Sequence, residues 1–106
     1  MAAGAASRGF DVVSETARVP TGNGSRYLQQ LCKHWGHKLD VRLEGDTGVV
    51  RFPRAVATME AGPEALAVTV EAADEEKRKR MQEVIESHLL RFAFREEPGA
   101  LEWRPA

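Results

Sequence analysis

Residues 31–39 read LCKHWGHKL and hold the single cysteine and two of the three histidines of the chain. A thiol and two imidazoles so close together are the donor types of a zinc, iron or copper site. Spacing decides which of them can converge. At about 100° per residue, helical turns around residues 28–35 set Cys32 and His34 roughly 160° apart, so the two cannot hold one ion. Cys32 falls instead on the side of Leu28 and Trp35, where a small thiol packs as a hydrophobe. A nucleophilic thiolate would need exposure and an adjacent cation, and Lys33 is adjacent only along the chain. His34 and His37 share one flank if the helix runs past Gly36, and His34 lies at the edge of the apolar face, below Tyr27 and Leu31. His88 sits near the centre of the apolar stripe of a second helix. If the two helices pack side by side, His34 and His88 meet across their seam. The expected metal set is therefore His34, His37 and His88, with iron or zinc as the ion. The competing account is a pair of partly buried histidines satisfied by carbonyls or carboxylates. No Cys-x-x-Cys or His-Glu-x-x-His spacing sharpens the choice.

Other polar residues crowd the same neighbourhood. In HLLRFAFRE, Arg95 follows His88 by seven residues, so both lie on one stripe with Phe92 between them. Such a guanidinium either snorkels to the rim or pairs with a carboxylate, and cations suit a helix end. With Arg91 or Lys38 it could also form an anion-binding rim. The candidate ligand-binding residues are thus Tyr27, His34, Lys38, His88, Arg91 and Arg95. The KRKR run at 77–80 follows ADEE, and the spacing pairs Glu75 with Lys79 and Glu76 with Arg80, the pattern of a solvated helix face. TGNGS at 21–25 lacks a Walker lysine and the dinucleotide spacing, although its N–H groups could face a small anion. With no Ser-His-Asp order and no close carboxylate pair, catalysis has no nucleophile to start from. A small hydrolase or isomerase using His34 as base would lack its partner acid.

The elements that must position these residues follow from periodicity. Phe10 to Val19 alternates and is rich in β-branched residues, so it reads as a first strand closed by Pro20. Ser25 or Thr21 can cap the helix behind it, whose apolar face is Tyr27, Leu28, Leu31, Cys32 and Trp35. Gly36 is expected to stop that helix in the left-handed conformation. Leu39, Val41 and Leu43 alternate with Asp40, Arg42 and Glu44 as a half-buried strand. GDTG turns the chain, VVRF and AVATMEA follow as strands, and Leu66, Val68, Val70 and Ala72 mark another. Asp74 begins the last helix, lined on one side by Met81, Val84, Ile85, His88, Leu89 and Phe92; EEPGA ends it, and LEW is expected to add a short strand. The order β-α-β-β-β-β-α predicts an α+β two-layer sandwich, an antiparallel curved sheet with both helices on one face. That order is similar to the TATA-binding-protein-like architecture, a likeness that carries no function.

Composition narrows the rest. The chain has 106 residues, 42% apolar and 29% charged, which suits one α+β domain over 10–106 behind an Ala/Gly/Ser-rich flexible tail at 1–9. A net charge of −1 with interspersed signs argues against a nucleic-acid partner, which would call for a basic face. No run of apolar residues is long enough for a membrane span, and MAAGAASRG reads as no signal peptide. A lone cysteine suits a reducing, cytoplasmic setting.

With SRYLQQLCKHWGHK at 25–38, GVVRF at 48–52 and SHLLRFAFRE at 87–96, the chain resembles the bacterial domain-of-unknown-function family 2218 from about Thr16 to Trp103. The resemblance implies a small cytoplasmic domain, found alone or associated with siderophore-interacting flavoproteins, and it transfers no site residues. The expectation is a non-catalytic binding or accessory domain, in iron or siderophore handling, that works at the His34/His88 seam. The alternative is a structural or interaction protein that forms a homodimer, or docks on a flavoprotein, through its sheet face or edge.

Overall fold

The computed structural model describes residues 13–92 and 101–106, without the side chain of Phe92. Strand β1 (Val13–Pro20) is followed by helix α1 (Gly24–Trp35) and by four strands, β2 (Asp40–Glu44), β3 (Thr47–Phe52), β4 (Ala55–Ala61) and β5 (Ala65–Ala72). Helix α2 (Glu75–Phe92) and a two-residue strand β6 (Arg104–Pro105) complete it. The sheet order is β2-β3-β4-β5-β1-β6, and every pairing is antiparallel. Four strands run as successive hairpins, and β1 docks beside β5 across the register Val13–Ala72 to Pro20–Ala65. The expected α+β sandwich is present, with both helices on one face: α1 over β2, β3 and β4, and α2 over β5 and β1.

Alternation sets which side chains meet the helices. Val50, Ala57, Met59, Leu66, Val68 and Val70 point inward and are buried, as are Leu28 and Leu31 of α1 and Ile85 and Leu89 of α2. Full burial of one such Leu or Ile stabilises by about 1.5–3 kcal/mol. Helix α1 buries the expected face, Tyr27, Leu28, Leu31, Cys32 and Trp35, and leaves Gln29, Gln30 and Lys33 in water. It lies very close to β3 at Gly48. A Cβ there would stand 2.7 Å from Cys32 Sγ and 2.8 Å from Leu28 Cδ1. Any side chain there would force Leu28 and Cys32 to give way.

Helix ends and turns depart from expectation in instructive ways. Thr21 Oγ1 accepts the Asn23 N–H at 2.9 Å, in the turn before α1 rather than at its N-cap, while Ser25 Oγ accepts from Gln29 Nε2. Gly36 does not take the left-handed conformation; at φ −63° it prolongs the helical turn, its N–H donating to Cys32 O at 2.8 Å. The carbonyl of Trp35 then accepts from both Lys38 and Leu39, so the chain leaves the helix by tightening rather than reversing. Helix α2 begins directly after Asp74, within a residue of expectation, and the Asp74 carboxylate caps it by accepting the Lys77 N–H at 2.8 Å. The β3–β4 turn, Pro53-Arg54, holds Arg54 at φ 67°, a conformation that glycine adopts without a Cβ clash. No reading of residues around 53–54 signalled it. The C-terminal strand is Arg104–Pro105 against Thr16 and Glu15, one residue beyond LEW. Residues 10–12 of the expected first strand, the tail at 1–9 and the EEPGA stop lie outside the described residues.

The buried face of α2 is rotated from the expected one. Arg78 and Gln82 are buried at 5% and 6% exposure, in line with Ile85 and Leu89, whereas Met81, Val84 and His88 are half-buried on the flank. The KRKR run is therefore not wholly a solvated face. Arg78 Nη1 binds the Glu15 carboxylate and Gln82 Oε1, and Gln82 Nε2 reaches the same Glu15 oxygen at 2.9 Å. Glu75 pairs with Arg78, at 3.4 Å, and not with Lys79. A cation this deep needs a carboxylate to offset its lost hydration, and Glu15 provides one because it shares the inward parity of Ala17 and Val19.

Candidate functional site

Helix geometry brings the two expected imidazoles together. His34 leaves the last turn of α1 and His88 the C-terminal half of α2, and their ring centroids are 4.8 Å apart with planes inclined by 49°. Trp35 lies beneath both, 5.3 Å from His88 and 6.1 Å from His34. Its indole is itself held edge-on by Phe52 of β3, at 5.3 Å and 79°. The pair thus rests on an aromatic floor that the sheet fixes in place. His34 is exposed and His88 half-buried, so the site is the outer lip of the seam.

The two rings differ in what orients them. His88 Nδ1 lies 2.7 Å from Val84 O, one turn back. A carbonyl can only accept, so Nδ1 carries a proton, which in the neutral imidazole leaves the lone pair on Nε2. Metal-binding histidines are commonly oriented this way, with the second nitrogen donating to a carbonyl or carboxylate. His34 has ring contacts and no hydrogen-bonded orienter among the described residues. Two imidazoles on one ion at about 2.1 Å, with an angle between 90° and tetrahedral, place their centroids ~4.5–5.2 Å apart. The observed separation falls inside that interval.

The other expected site residues scatter. His37 and Lys38 are exposed in the turn after α1, and Arg91 is exposed one turn after His88. No hydrogen bond, ion pair or ring contact links these three to the histidine pair among the described residues. Tyr27 does not stand at the rim: it is 5% exposed and lies two turns back along α1, about 10 Å from His34 along the axis. Arg95 lies outside the described residues. Among those described, no group of three or more His, Cys, Asp or Glu side chains gathers closely enough to hold a metal ion, so His37 does not complete a three-histidine set. Cys32 is buried in the core, and burial pushes its thiol above the ordinary 9.0. No carboxylate bonds either histidine among the described residues, so the seam shows no acid–base dyad.

Sequence reasoning missed two polar constructions. One is the Arg78–Gln82–Glu15 network. The other is Glu86, whose carboxylate accepts the Leu101 N–H at 3.2 Å and the Trp103 indole N–H at 3.4 Å. That carboxylate fastens the C-terminal segment to α2, in front of β6. Both were within reach of periodicity, since stepping back from Ile85 by three and seven residues lands on Gln82 and Arg78, and stepping back from Leu89 by three lands on Glu86.

No helix among the described residues is long and apolar enough to cross a membrane. No curated protein matches the chain. The solution NMR structure of PA4090 from Pseudomonas aeruginosa is similar at 34% identity, covering 89% of this chain and 97% of that one, with a TM-score of 0.76. A family model described as an uncharacterized protein conserved in bacteria, DUF2218, matches residues 16–104, a span that takes in most of β1, both helices, the aromatic floor and the histidine pair. The chain belongs to the bacterial DUF2218 family.

Proposed function

We propose that this protein is a non-catalytic binding domain whose site is the lip of the α1/α2 seam, where His34 and His88 supply two imidazoles to an iron or zinc ion. The observation that carries this reading is the 4.8 Å approach of two rings, one of them with its Nδ1 held by Val84 O. Two nitrogens leave the remaining coordination positions of such an ion to water or to a chelating molecule. The ligand is therefore a metal that arrives partly coordinated rather than one the domain encloses. A small iron chelate fits this description and agrees with the siderophore association that the family resemblance implies. Lys38 and Arg91, exposed at the ends of the two helices, add positive charge near the lip for an anionic chelator, and Arg95 belongs to the same stripe of the sequence.

Titration with Zn(II), Co(II) and a ferric hydroxamate chelate tests the reading on wild type, His34→Ala and His88→Ala. Binding by wild type that each substitution weakens at least about tenfold is expected from the loss of one of two protein ligands. Equal, weak binding by all three proteins would sink it.

A further inference from the structure

The face of the sheet turned away from the helices carries a second message, independent of the histidine pair. Its outward side chains form three rows across the strands from β1 to β2. The middle row is Thr16, Thr69, Thr58, Val49 and Arg42. One flanking row is Arg18, Ala67, Glu60, Thr47 and Glu44, and the other is Ser14, Glu71, Val56, Arg51 and Asp40. The centre is short or β-branched and half-buried, whereas the charged residues stand exposed around it. Thr16 and Thr69 turn their hydroxyls on the sheet itself, so the centre offers short, low-entropy side chains inside a charged rim, as a protein interface does. Arg18, Glu44 and Glu71 have no ion pair among the described residues.

We infer that this face docks on the same face of a second copy, about a two-fold axis running along β4. That axis sets β1 opposite the partner's β2 and β5 opposite the partner's β3, row facing row. Arg18 then meets the partner's Glu44, Glu71 meets the partner's Arg51, and each pairing occurs twice by symmetry. At the centre Val56 and Thr58 each meet their own copies, and Thr69 meets the partner's Val49. Arg42 opposes the partner's Thr16, beside a hollow of about 490 Å³ that is lined in part by Glu102 and contains neither histidine. A two-fold axis across the strands would instead set Arg42 on the partner's Arg42 and Glu44 on the partner's Asp40. Charge therefore selects the first orientation. Aligned sheets pack about 30° apart, which moves the corner positions by a few Å, within the reach of Arg and Glu side chains. Five strands ~4.8 Å apart and about seven residues long cover ~550–600 Å² per copy, so the dimer sits at the weak end of specific interfaces and exchanges in solution.

Sedimentation equilibrium over a concentration series up to about 1 mM tests the proposal, with thermal melts confirming that each variant stays folded. Wild type is expected to dimerise, more strongly at low salt. R18E and E44R should each weaken dimerisation at least about tenfold, because each replaces two attractive pairs by two repulsive ones. An equimolar mixture of the two single variants, or the double variant R18E/E44R, should recover wild-type association. The two positions lie at opposite sides of the sheet, ~19 Å apart, so recovery has no explanation within one chain. E60Q should tighten the dimer by removing the one like-charge pair on the axis. A wild type that stays monomeric throughout, or single variants that weaken and do not recover when combined, would overturn the proposal.

Discussion

Helix α2 carries polar side chains into its packed side at two places and treats them differently. Toward its N-terminus, Arg78 and Gln82 are buried and close on the Glu15 carboxylate, leaving Arg78 Nε as the one buried side-chain polar atom without a partner among the described residues. Toward its C-terminus, His88 is half-buried, one nitrogen held by Val84 O and the other without a hydrogen bond among the described residues, with the His34 ring 4.8 Å away. The first arrangement turns its carboxylate, amide and guanidinium on one another and leaves only the enclosed Arg78 Nε–H over, so it belongs to the fold. The second keeps a lone pair in reserve beside another imidazole. Burial alone would rank Arg78 as the more conspicuous residue, yet the residue with unused capacity is the better candidate for binding.

The contrast can be broken from its strong end. Arg78→Ala leaves the half-buried Glu15 carboxylate and the buried Gln82 without their cation and should lower stability by about 2–3 kcal/mol, read by urea unfolding. Arg78→Met combined with Glu15→Leu should recover most of that loss, because no charge then remains buried; a double variant as unstable as the single one would mean that the network does more than neutralise itself. Between the two ends, Glu86→Ala should cost about 1–2 kcal/mol and shift Trp103 emission to the red as the C-terminal segment loosens. His88→Ala should cost about 1 kcal/mol, since it removes one hydrogen bond and a half-buried ring. His34→Ala, at an exposed position, should stay within ~0.5 kcal/mol. If His34→Ala destabilises as much as Arg78→Ala, the seam pair is structural and the distinction fails.

Cys32 supplies a pH test with a fixed sign. The folded thiol titrates above the ordinary value, so at high pH the unfolded chain releases a proton that the folded chain keeps. Its effect on stability is absent below pH 9.0 and becomes a loss as pH rises past 9.0 toward the folded value. Cys32→Ala should remove that part of the alkaline decline, seen by comparing unfolding curves on either side of pH 9.0. The same burial should leave the native thiol slow to alkylate at neutral pH.

Much of this architecture can be read from periodicity. The apolar faces of α1 and of the strands lie where alternation and helical spacing place them, and Cys32 is a core residue because its angle on the helix leaves no alternative. The meeting of His34 and His88 was legible too, since it needs only two helices side by side on one sheet. The rest was hidden for physical reasons. Arg78 stands within KRKR beside a string of acids, so its local context reads as solvent-facing, and its true partner Glu15 is sixty-three residues away. Only the strand parity of Glu15 and the helical phase of Ile85, taken jointly, reveal the pair. Arg54 at φ 67° leaves no trace in composition, because the turn imposes a conformation the residue does not prefer. Gly36 shows the opposite failure: the glycine was visible, but its carbon-free face answers to the Cys32 carbonyl, 2.9 Å from where a Cβ would sit, and not to a left-handed cap.

Gly48 has a consequence for engineering the seam. With no side chain at residue 48, Leu28 and Cys32 of α1 seat directly over β3, and His34 rides on that helix. One methyl group at residue 48 would act as a shim, lifting Leu28 and Cys32 and carrying the far end of α1 with them. A graded series at residue 48 would thus vary the gap between the two imidazoles while leaving both in the sequence, turning a packing position into a dial for the spacing of the ligands.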